Sequence, residues 1–441
     1  MNLLEALGKA MRIPELRKKL LFTVGLLMIF RVLASITVPG ADPVKLQALF
    51  ASNSLLSLLN LFSGGGLSTF SIVGEGLNPY INATIIMQLM TVVSIRLKEV
   101  SKEGDQGRRK INRYTRWLTV PLAALQAYGL VALFTSQGIL SSTSGGAEAS
   151  TTITIMVVLT AGTVTLMWLG ELITEYGVSN GVSLIIFAGI IGRLPGSIIA
   201  FGATGGSHIV SLILLTIVAV AVTAGIIWVQ QAQRKVPVQS AQRVLNPRSG
   251  MAVAGRKNFL PLRITTAGVI PIIFALSIMA FPTIFANFFS NAGGNAGRLA
   301  SWITNHWSPN GPDLLPDLLY NGLYFALIFG FTYFYTAVVF DPVDVADNLK
   351  KQSTFIPGIR PGRSTAEYLK RVMDRLTFSG AMFLALITVI LPLATSLVTG
   401  TSATNLYLGG TAVLIVVGVA LDTMKQIETQ LQMRQYRGFI K

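Results

Sequence analysis

Long apolar runs alternate along this chain with short connections that carry most of its charged residues. Ten of the runs are about 20 residues long, which is the length that an α-helix needs to cross the roughly 30 Å hydrocarbon core of a bilayer. The second run is the most polar, because it opens with Asn78 and Pro79. The pattern predicts an all-α polytopic membrane protein. The ten predicted spans are 20–38, 77–95, 117–135, 151–172, 181–201, 209–229, 264–289, 318–340, 376–397 and 407–424.

The amino-acid composition excludes an ordinary soluble domain. Hydrophobic residues make up 51% of the chain and charged residues only 12%, against roughly a quarter charged in a typical soluble domain. There is no cysteine for a disulfide or a thiolate metal site, and two histidines cannot form a His-rich site. The sequence also lacks the phosphate-loop, dinucleotide-binding and zinc-protease spacings. We therefore expect no enzymatic activity and no cofactor.

Positive charge is concentrated in alternate connections. Of the 35 Lys and Arg residues, 31 lie near the two termini or in the even-numbered connections, whereas the odd-numbered connections hold only Lys45 and Arg298. By the positive-inside rule, both termini are expected to be cytoplasmic. The connection 171–180, with two acids and no base, departs from this pattern. The net charge of +16 is thus an orientation signal rather than evidence of nucleic-acid binding.

The first apolar run is open to two interpretations. Basic residues precede it, as in a signal peptide, but the run is longer than the usual signal-peptide core, which favours a retained helix. Arg31 lies well inside this run, and Arg193 lies close to the outer end of the fifth span. For Arg31 we expect a backbone carbonyl as partner, with a role in a transport pathway as the alternative.

The stretch between the first two spans is too rich in polar residues and glycine to cross the membrane, yet too apolar for an exposed loop. Six Leu and Phe residues lie between positions 55 and 62, and Gly64, Gly65 and Gly66 follow. The leucine spacing predicts about two turns of amphipathic helix, which the glycines end by letting the chain reverse. The segment either re-enters the protein from outside or forms an interfacial helix on the outer leaflet.

A weak internal repeat relates the two halves of the chain. The pattern G-x-x-P-x-I begins at Gly76 and recurs at Gly268, five spans later. Because five is an odd number of spans, the two halves have opposite orientations in the membrane, as in an inverted repeat. The proline-bearing helices are then expected to face the functional cavity of the protein. Most polar residues within the spans are neutral, so they serve either as helix–helix contacts or as the lining of a pathway.

Two basic connections have the features of docking surfaces. The connection 234–263 has seven bases and no acid, and 341–375 carries a tip at 355–363 that proline and glycine stiffen. A basic loop with an apolar tip is suited to contact both phosphate and a protein groove. The alternative, a solvated positive-inside loop, explains the charge but not the tip.

Several blocks in order along the whole chain resemble the SecY family, the channel subunits of the bacterial Sec protein translocase. Among them are LMWLGE at 166–171, AGVIP at 267–271, ADNLKK at 346–351 and FIPGIRPG at 355–362. The resemblance implies a channel that passes unfolded preproteins across the cytoplasmic membrane. It also implies ten helices in two inverted halves, 1–205 and 206–441, around an hourglass pore. A lateral gate between spans two and three and spans seven and eight would release membrane helices into lipid.

The resemblance also implies roles for individual positions. The ring of aliphatic side chains at the pore waist corresponds to Leu77, Ile81, Val182, Ile186, Ile273 and Ile415. The plug, 55–70, corresponds to Leu58, Leu59, Leu61, Phe62, Gly64, Gly65 and Gly66. The lining of the lateral gate corresponds to Asn82, Ile86, Gln88, Gln126, Ser277 and Phe281. The docking positions are Arg256, Lys257, Arg360 and Arg363.

The partners implied by the resemblance are the SecE and SecG subunits, the SecA ATPase, the ribosome, signal-bearing preproteins and membrane lipid, with YidC-type or SecDF-type proteins as accessories. An external motor agrees with the lack of a nucleotide-binding motif. The alternative function is a secondary transporter with inverted repeats, against which the scarcity of acids within the spans argues. A purely structural scaffold leaves the proline-bearing spans and the basic tip unexplained.

Overall fold

The computed structural model describes residues 11–52, 56, 60, 63–140, 148–193, 209–240, 244–245, 252–253, 257–289, 295–307, 314–399 and 410–438. Across these residues the fold is mostly helical, and its few strands lie in the two connections predicted to be docking loops.

Each of the ten predicted spans coincides with a helix. These helices are α1 (Pro14–Ser35), α3 (Asn78–Val93), α5 (Asp105–Ser136), α6 (Glu148–Tyr176), α7 (Gly181–Ile191), α8 (Ile209–Gln231), α9 (Ile270–Phe289), α11 (Leu314–Val339), α13 (Arg363–Thr399) and α14 (Gly410–Gly438). Shorter helices lie in the connections: α2 (Pro43–Ser52), α4 (Ile95–Lys102), α10 (Asn295–His306) and α12 (Pro342–Lys351).

Only some of these helices are both long enough and apolar enough to cross a membrane without a break. Among the described residues, four stretches qualify by length and composition: Asp105–Thr135, Ser150–Tyr176, Pro316–Lys351 and Arg363–Leu391. Helices α3 and α4 would make a fifth span together, but the chain bends by 102° between them. The predicted second span is therefore shorter than expected, because α3 ends at Val93. The predicted fifth span extends past α7 into residues that lie outside the described part of the chain.

Helices α3 and α9 begin in the same way. Each carries proline at its second position, where the missing N–H costs no hydrogen bond. Each is preceded by a glycine, Gly76 or Gly268, with a φ angle of +62°. The two glycine N–H groups donate to the carbonyls of Val73 and Thr265, three residues earlier, at 2.9 and 3.2 Å. The repeat seen in the sequence therefore has a counterpart in the backbone geometry.

The two predicted docking loops are joined in one small sheet, which the hydrophobic pattern did not indicate. Its strand order is β4 (Lys257–Arg263), β1 (Gln233–Ser240), β5 (Thr354–Phe355), and both pairings are antiparallel. A further hairpin pairs β2 (Val244–Leu245) with β3 (Ala252–Val253). One face of the sheet packs on the start of α13, and the buried side chains there are Val236, Val238, Leu262, Ile356, Leu369, Val372 and Met373.

Two large hydrophobic cores lie within the helical part that the structure describes, beside a small cluster of Leu16, Val178, Ile427 and Leu431. The larger core is formed by residues of α1, α3, α6, α7, α8, α9, α11, α13 and α14. The smaller core surrounds the connection between α1 and α3 and includes Leu67, Phe70 and Phe134. Phe70 meets Phe134 of α5 edge to face, with ring centroids 5.3 Å apart. The connection after α1 is thus packed into the protein.

Candidate functional site

A cavity of about 540 Å³ opens between α7, α9 and α14. We call it the polar funnel. Its lining includes Arg263, Asp422 and Lys425 as well as Ile186, Ile273 and Ile415. The side chains of Arg263 and Asp422 are about half exposed, whereas the three isoleucines are buried. The charged part of the lining is therefore more accessible to solvent than the aliphatic part.

The six positions that the resemblance assigned to the pore ring lie in or against one hydrophobic core. Leu77, Ile81, Ile186, Ile273 and Ile415 are all buried in the larger core, and Val182 is half-buried against it. These six positions come from α7, α9, α14 and the start of α3. All six side chains that the resemblance assigned to the pore ring therefore lie in or against one large core, and Ile186, Ile273 and Ile415 also line the cavity.

The segment 55–70 is mostly buried where the structure describes it, with Thr69 as its exposed residue. Asn60, Ser63 and Leu67 are at most 3% exposed. Asn60 organises the turn, because its side-chain oxygen accepts from the N–H of Ser68 at 2.9 Å and its carbonyl accepts from Gly65 N–H at 3.0 Å. This burial favours the re-entrant interpretation over an interfacial helix. Leu58, Leu59, Leu61 and Phe62 lie outside the described residues.

Two arginines contact this segment from different helices. The Arg31 guanidinium of α1 donates to the carbonyls of Gly64 and Gly189, at 3.2 and 3.3 Å, and to that of Ala188. Arg193, which follows α7, donates to the hydroxyl of Ser68 at 2.5 Å. The expected carbonyl partner of Arg31 is therefore present.

A buried acid that the sequence did not single out lies just after this segment. Glu75 is 3% exposed, and the hydroxyl of Thr163 on α6 donates to its carboxylate at 3.2 Å. The sequence did not indicate that Glu75 is buried, because this residue lies in a connection between two predicted spans and not in an apolar run.

The helices of the predicted lateral gate are in contact. Helix α9 packs against α3, α5 and α11. Asn82 and Ser277 are buried, and Gln88, Gln126 and Phe281 are half-buried. Asn82 Oδ1 and Gln88 Oε1 have no hydrogen-bond partner among the described residues. Ile86, at 36% exposed, lies on the outer side of α3.

The predicted docking residues are only partly described. Arg360 is exposed at the tip, and its carbonyl accepts from the Thr365 hydroxyl at 2.9 Å. Arg363 is exposed and pairs with Glu367 at 3.2 Å. Lys257 belongs to β4, opposite Gln239, and Arg256 lies outside the described residues.

One wall of the polar funnel was missed by the sequence reasoning. It is the face of α14 that begins in the last residues of the predicted tenth span, at Asp422, and continues beyond the end of that span. Asp422 pairs there with Arg263 at 3.8 Å. Burial, followed by the positive charge of Arg263, lowers the pKa of Lys425. The helical spacing could have revealed this face: its residues are Asp422, Lys425, Gln426, Thr429, Gln430 and Met433.

Comparisons with known proteins agree with this geometry. The family model described as SecY matches residues 71–424. The chain belongs to the SecY family. It is 43% identical over 451 residues to protein translocase subunit SecY of Streptomyces galbus, and 41% identical over 453 residues to that of Mycobacterium tuberculosis, with all of both chains covered in each case.

Solved structures of SecY-type channels share the fold. One titled "The structure of a protein conducting channel" has a TM-score of 0.65 at 17% identity, over 93% of this chain and 91% of that one. Sec61 in the canine ribosome-channel complex has a TM-score of 0.61 at 17% identity, with the same coverage. The resemblance seen in the sequence is therefore confirmed. This SecY-family chain is a multi-pass, protein-conducting channel subunit of the Sec translocase, and it is not an enzyme.

Proposed function

We propose that the polar funnel is the cytoplasmic entrance of the channel and that the six aliphatic positions form its waist. The observation that carries this proposal is the lining of the cavity, which combines the half-exposed Arg263 and Asp422 with the buried Ile186, Ile273 and Ile415. A narrow aliphatic collar excludes water and ions by dewetting. The collar can also widen around an extended polypeptide in transit, and it does not bind that polypeptide tightly because it has no polar group. Unfolded preproteins are the substrate that suits such a collar.

The closed state depends on two further elements in this proposal. Segment 55–70 acts as the plug, supported by its burial and by its contacts with α1 and α7. One solved SecY structure has a title stating that the plug domain stabilises the closed state and maintains a membrane seal. The seam of α3 and α5 with α9 and α11 acts as the lateral gate. Its neutral polar residues allow it to part without leaving a charge in lipid.

The two halves, 1–205 and 206–441, correspond to each other as inverted repeats in this proposal. The matching turns at Gly76 and Gly268 support the correspondence. Both termini and the small sheet lie on the cytoplasmic side, as the distribution of Lys and Arg indicates.

The cytoplasmic sheet and the tip at Arg360 dock the partner that supplies energy, either the SecA ATPase or a translating ribosome. The exposed, basic tip supports this role. SecE-type and SecG-type subunits complete the complex, and YidC-type or SecDF-type proteins assist it.

A crosslinking experiment tests the pathway. Single cysteines replace Ile273 in the collar or Ile217, an exposed residue of α8 that serves as control. Because the chain has no native cysteine, each thiol is unique. A signal-bearing preprotein, stalled during SecA-driven and ATP-driven transport into vesicles, should crosslink to position 273 and not to 217. Crosslinking at 217 alone, or no ATP-dependent transport by the reconstituted complex, would refute the proposal.

A further inference from the structure

We propose that Arg31 and Arg193 are positioning residues that lock segment 55–70 in its closed position. The inference deepens the proposed role of that segment as a plug and rests on that role. The two side chains reach the segment from α1 and from the end of α7, and they contact it at Gly64 and Ser68. The contacts join parts of the chain that are 33 and 125 residues apart in sequence.

Arg31 is held by three backbone carbonyls. Two of them, of Ala188 and Gly189, belong to the last turn of α7, where the helix dipole places partial negative charge on the carbonyls. The Ala188 carbonyl also accepts from the N–H of Gly192 at 3.1 Å. The third is that of Gly64 in segment 55–70. A guanidinium at membrane depth is stable only with such acceptors. If the segment moves away, the Gly64 carbonyl no longer accepts from Arg31, and the guanidinium loses one of its three hydrogen-bond acceptors.

Arg193 acts on the next turn of the same segment. Its guanidinium donates to the Ser68 hydroxyl, and the Ser68 hydroxyl in turn donates to the Gly65 carbonyl at 3.0 Å. The Ser68 N–H is bound to Asn60. Arg193 is thereby connected to the hydrogen bonds that shape the turn, and not only to one side chain.

The glycines of the segment make these close approaches possible. A Cβ on Gly64 would lie 2.7 Å from the Phe30 ring and 3.0 Å from Gly189 Cα, and one on Gly65 would lie 2.7 Å from Arg193 Nε. Both glycines also have positive φ angles, which side chains disfavour. A Cβ on Gly192 would collide with the Arg31 guanidinium. Gly65 and Gly192 therefore leave space for the two arginines, and Gly64 lets the segment approach Phe30 and the backbone of α7.

The test measures how often the segment leaves its site. Leu67, 3% exposed within the segment, is replaced by the only cysteine in the full-length chain, and its reaction with N-ethylmaleimide is timed in membranes. The thiol reacts only where water reaches it. The variants R31Q and R193Q should each raise the rate at least about tenfold, because each removes a charge-assisted hydrogen bond. The variant R113Q, which changes an exposed arginine of α5, is the control and should leave the rate unchanged.

A second reporter separates release of the segment from unfolding. A cysteine at Leu166, fully buried in α6, should stay unreactive in R31Q and R193Q. If R31Q or R193Q makes the thiols at positions 67 and 166 both reactive, the milder variants S68A and R31K are measured instead. Each of these removes or weakens one contact without deleting a positive charge. These milder variants should raise the rate at position 67 about threefold.

An unchanged rate at Leu67→Cys in R31Q, R193Q and S68A would overturn the inference. The measurement uses neither a motor nor a preprotein. A failure of the transport assay would therefore refute the proposed channel function, but it would not change the measured reaction rate of the thiol. An unchanged reaction rate would refute the proposed role of the two arginines, but it would not contradict the channel function.

Discussion

The indole N–H of Trp307 donates to the backbone carbonyl of Met279 across 3.0 Å. Met279 lies three residues before Pro282, at a point of α9 where the proline lacks an N–H and weakens the helical ladder. Trp307 follows α10 and meets Tyr320 of α11 edge to face, with centroids 5.8 Å apart. An aromatic side chain from a connection thus stabilises the proline-containing turn of the proposed gate helix.

Replacing Trp307 with phenylalanine should weaken the packing of α9. The ring contact is largely kept, but the hydrogen bond to Met279 is lost, at a cost of about 1 kcal/mol. Thermal unfolding of the purified chain should occur at a lower temperature. The control is Trp228→Phe, at a position that is 79% exposed. An equal effect in both variants would contradict a specific role for Trp307.

A polar residue in the collar should make the channel leak. In Ile186→Asn, an amide that binds water replaces a side chain that is 1% exposed, so the waist should become hydrated. We expect a severalfold increase in ion conductance of vesicles that contain the closed channel. Ile186→Val keeps the collar apolar and should remain tight. If the asparagine variant sealed as well as the valine variant, position 186 would not belong to the waist.

Reversing the charge at the tip should impair transport that a partner drives. Arg360→Glu changes an exposed side chain whose carbonyl, not its guanidinium, supports the local fold. Assembly and thermal stability should therefore be preserved, while transport driven by SecA falls at least about tenfold. Lys98→Glu, an exposed change on α4, is the matched control for surface charge. Normal transport by Arg360→Glu would remove this residue from the docking surface.

Truncating the core of the small sheet should loosen both cytoplasmic connections together. Val236→Ala removes two buried methyl groups beneath the sheet, which costs about 2 kcal/mol. Because β1 pairs with both β4 and β5, protease cleavage should accelerate within 241–256 and within 352–362 at once. The control is Phe259→Ala, since Phe259 is 60% exposed. Faster cleavage of only one connection would show that the two are independent.

The helices could be predicted from the sequence because bilayer thickness sets the length of an apolar run. The sheet could not, because Pro237 and Pro261 interrupt the alternation of its strands and proline is rare in a central strand. The clustering of the six collar positions followed from family resemblance, and no local pattern indicates it. The contact between Arg31 and Gly64 depends on the tertiary arrangement of α1, α7 and segment 55–70, so it required the structure.

The pairing of β5 with β1, and of β1 with β4, has a mechanical consequence. β5 lies beside the tip that carries Arg360, and β4 ends at Arg263, a short connection before α9 begins. Backbone hydrogen bonds resist shear far better than a flexible tether does. In the proposed docking role, a force on the tip would reach the start of α9 through these paired strands rather than through a flexible connection.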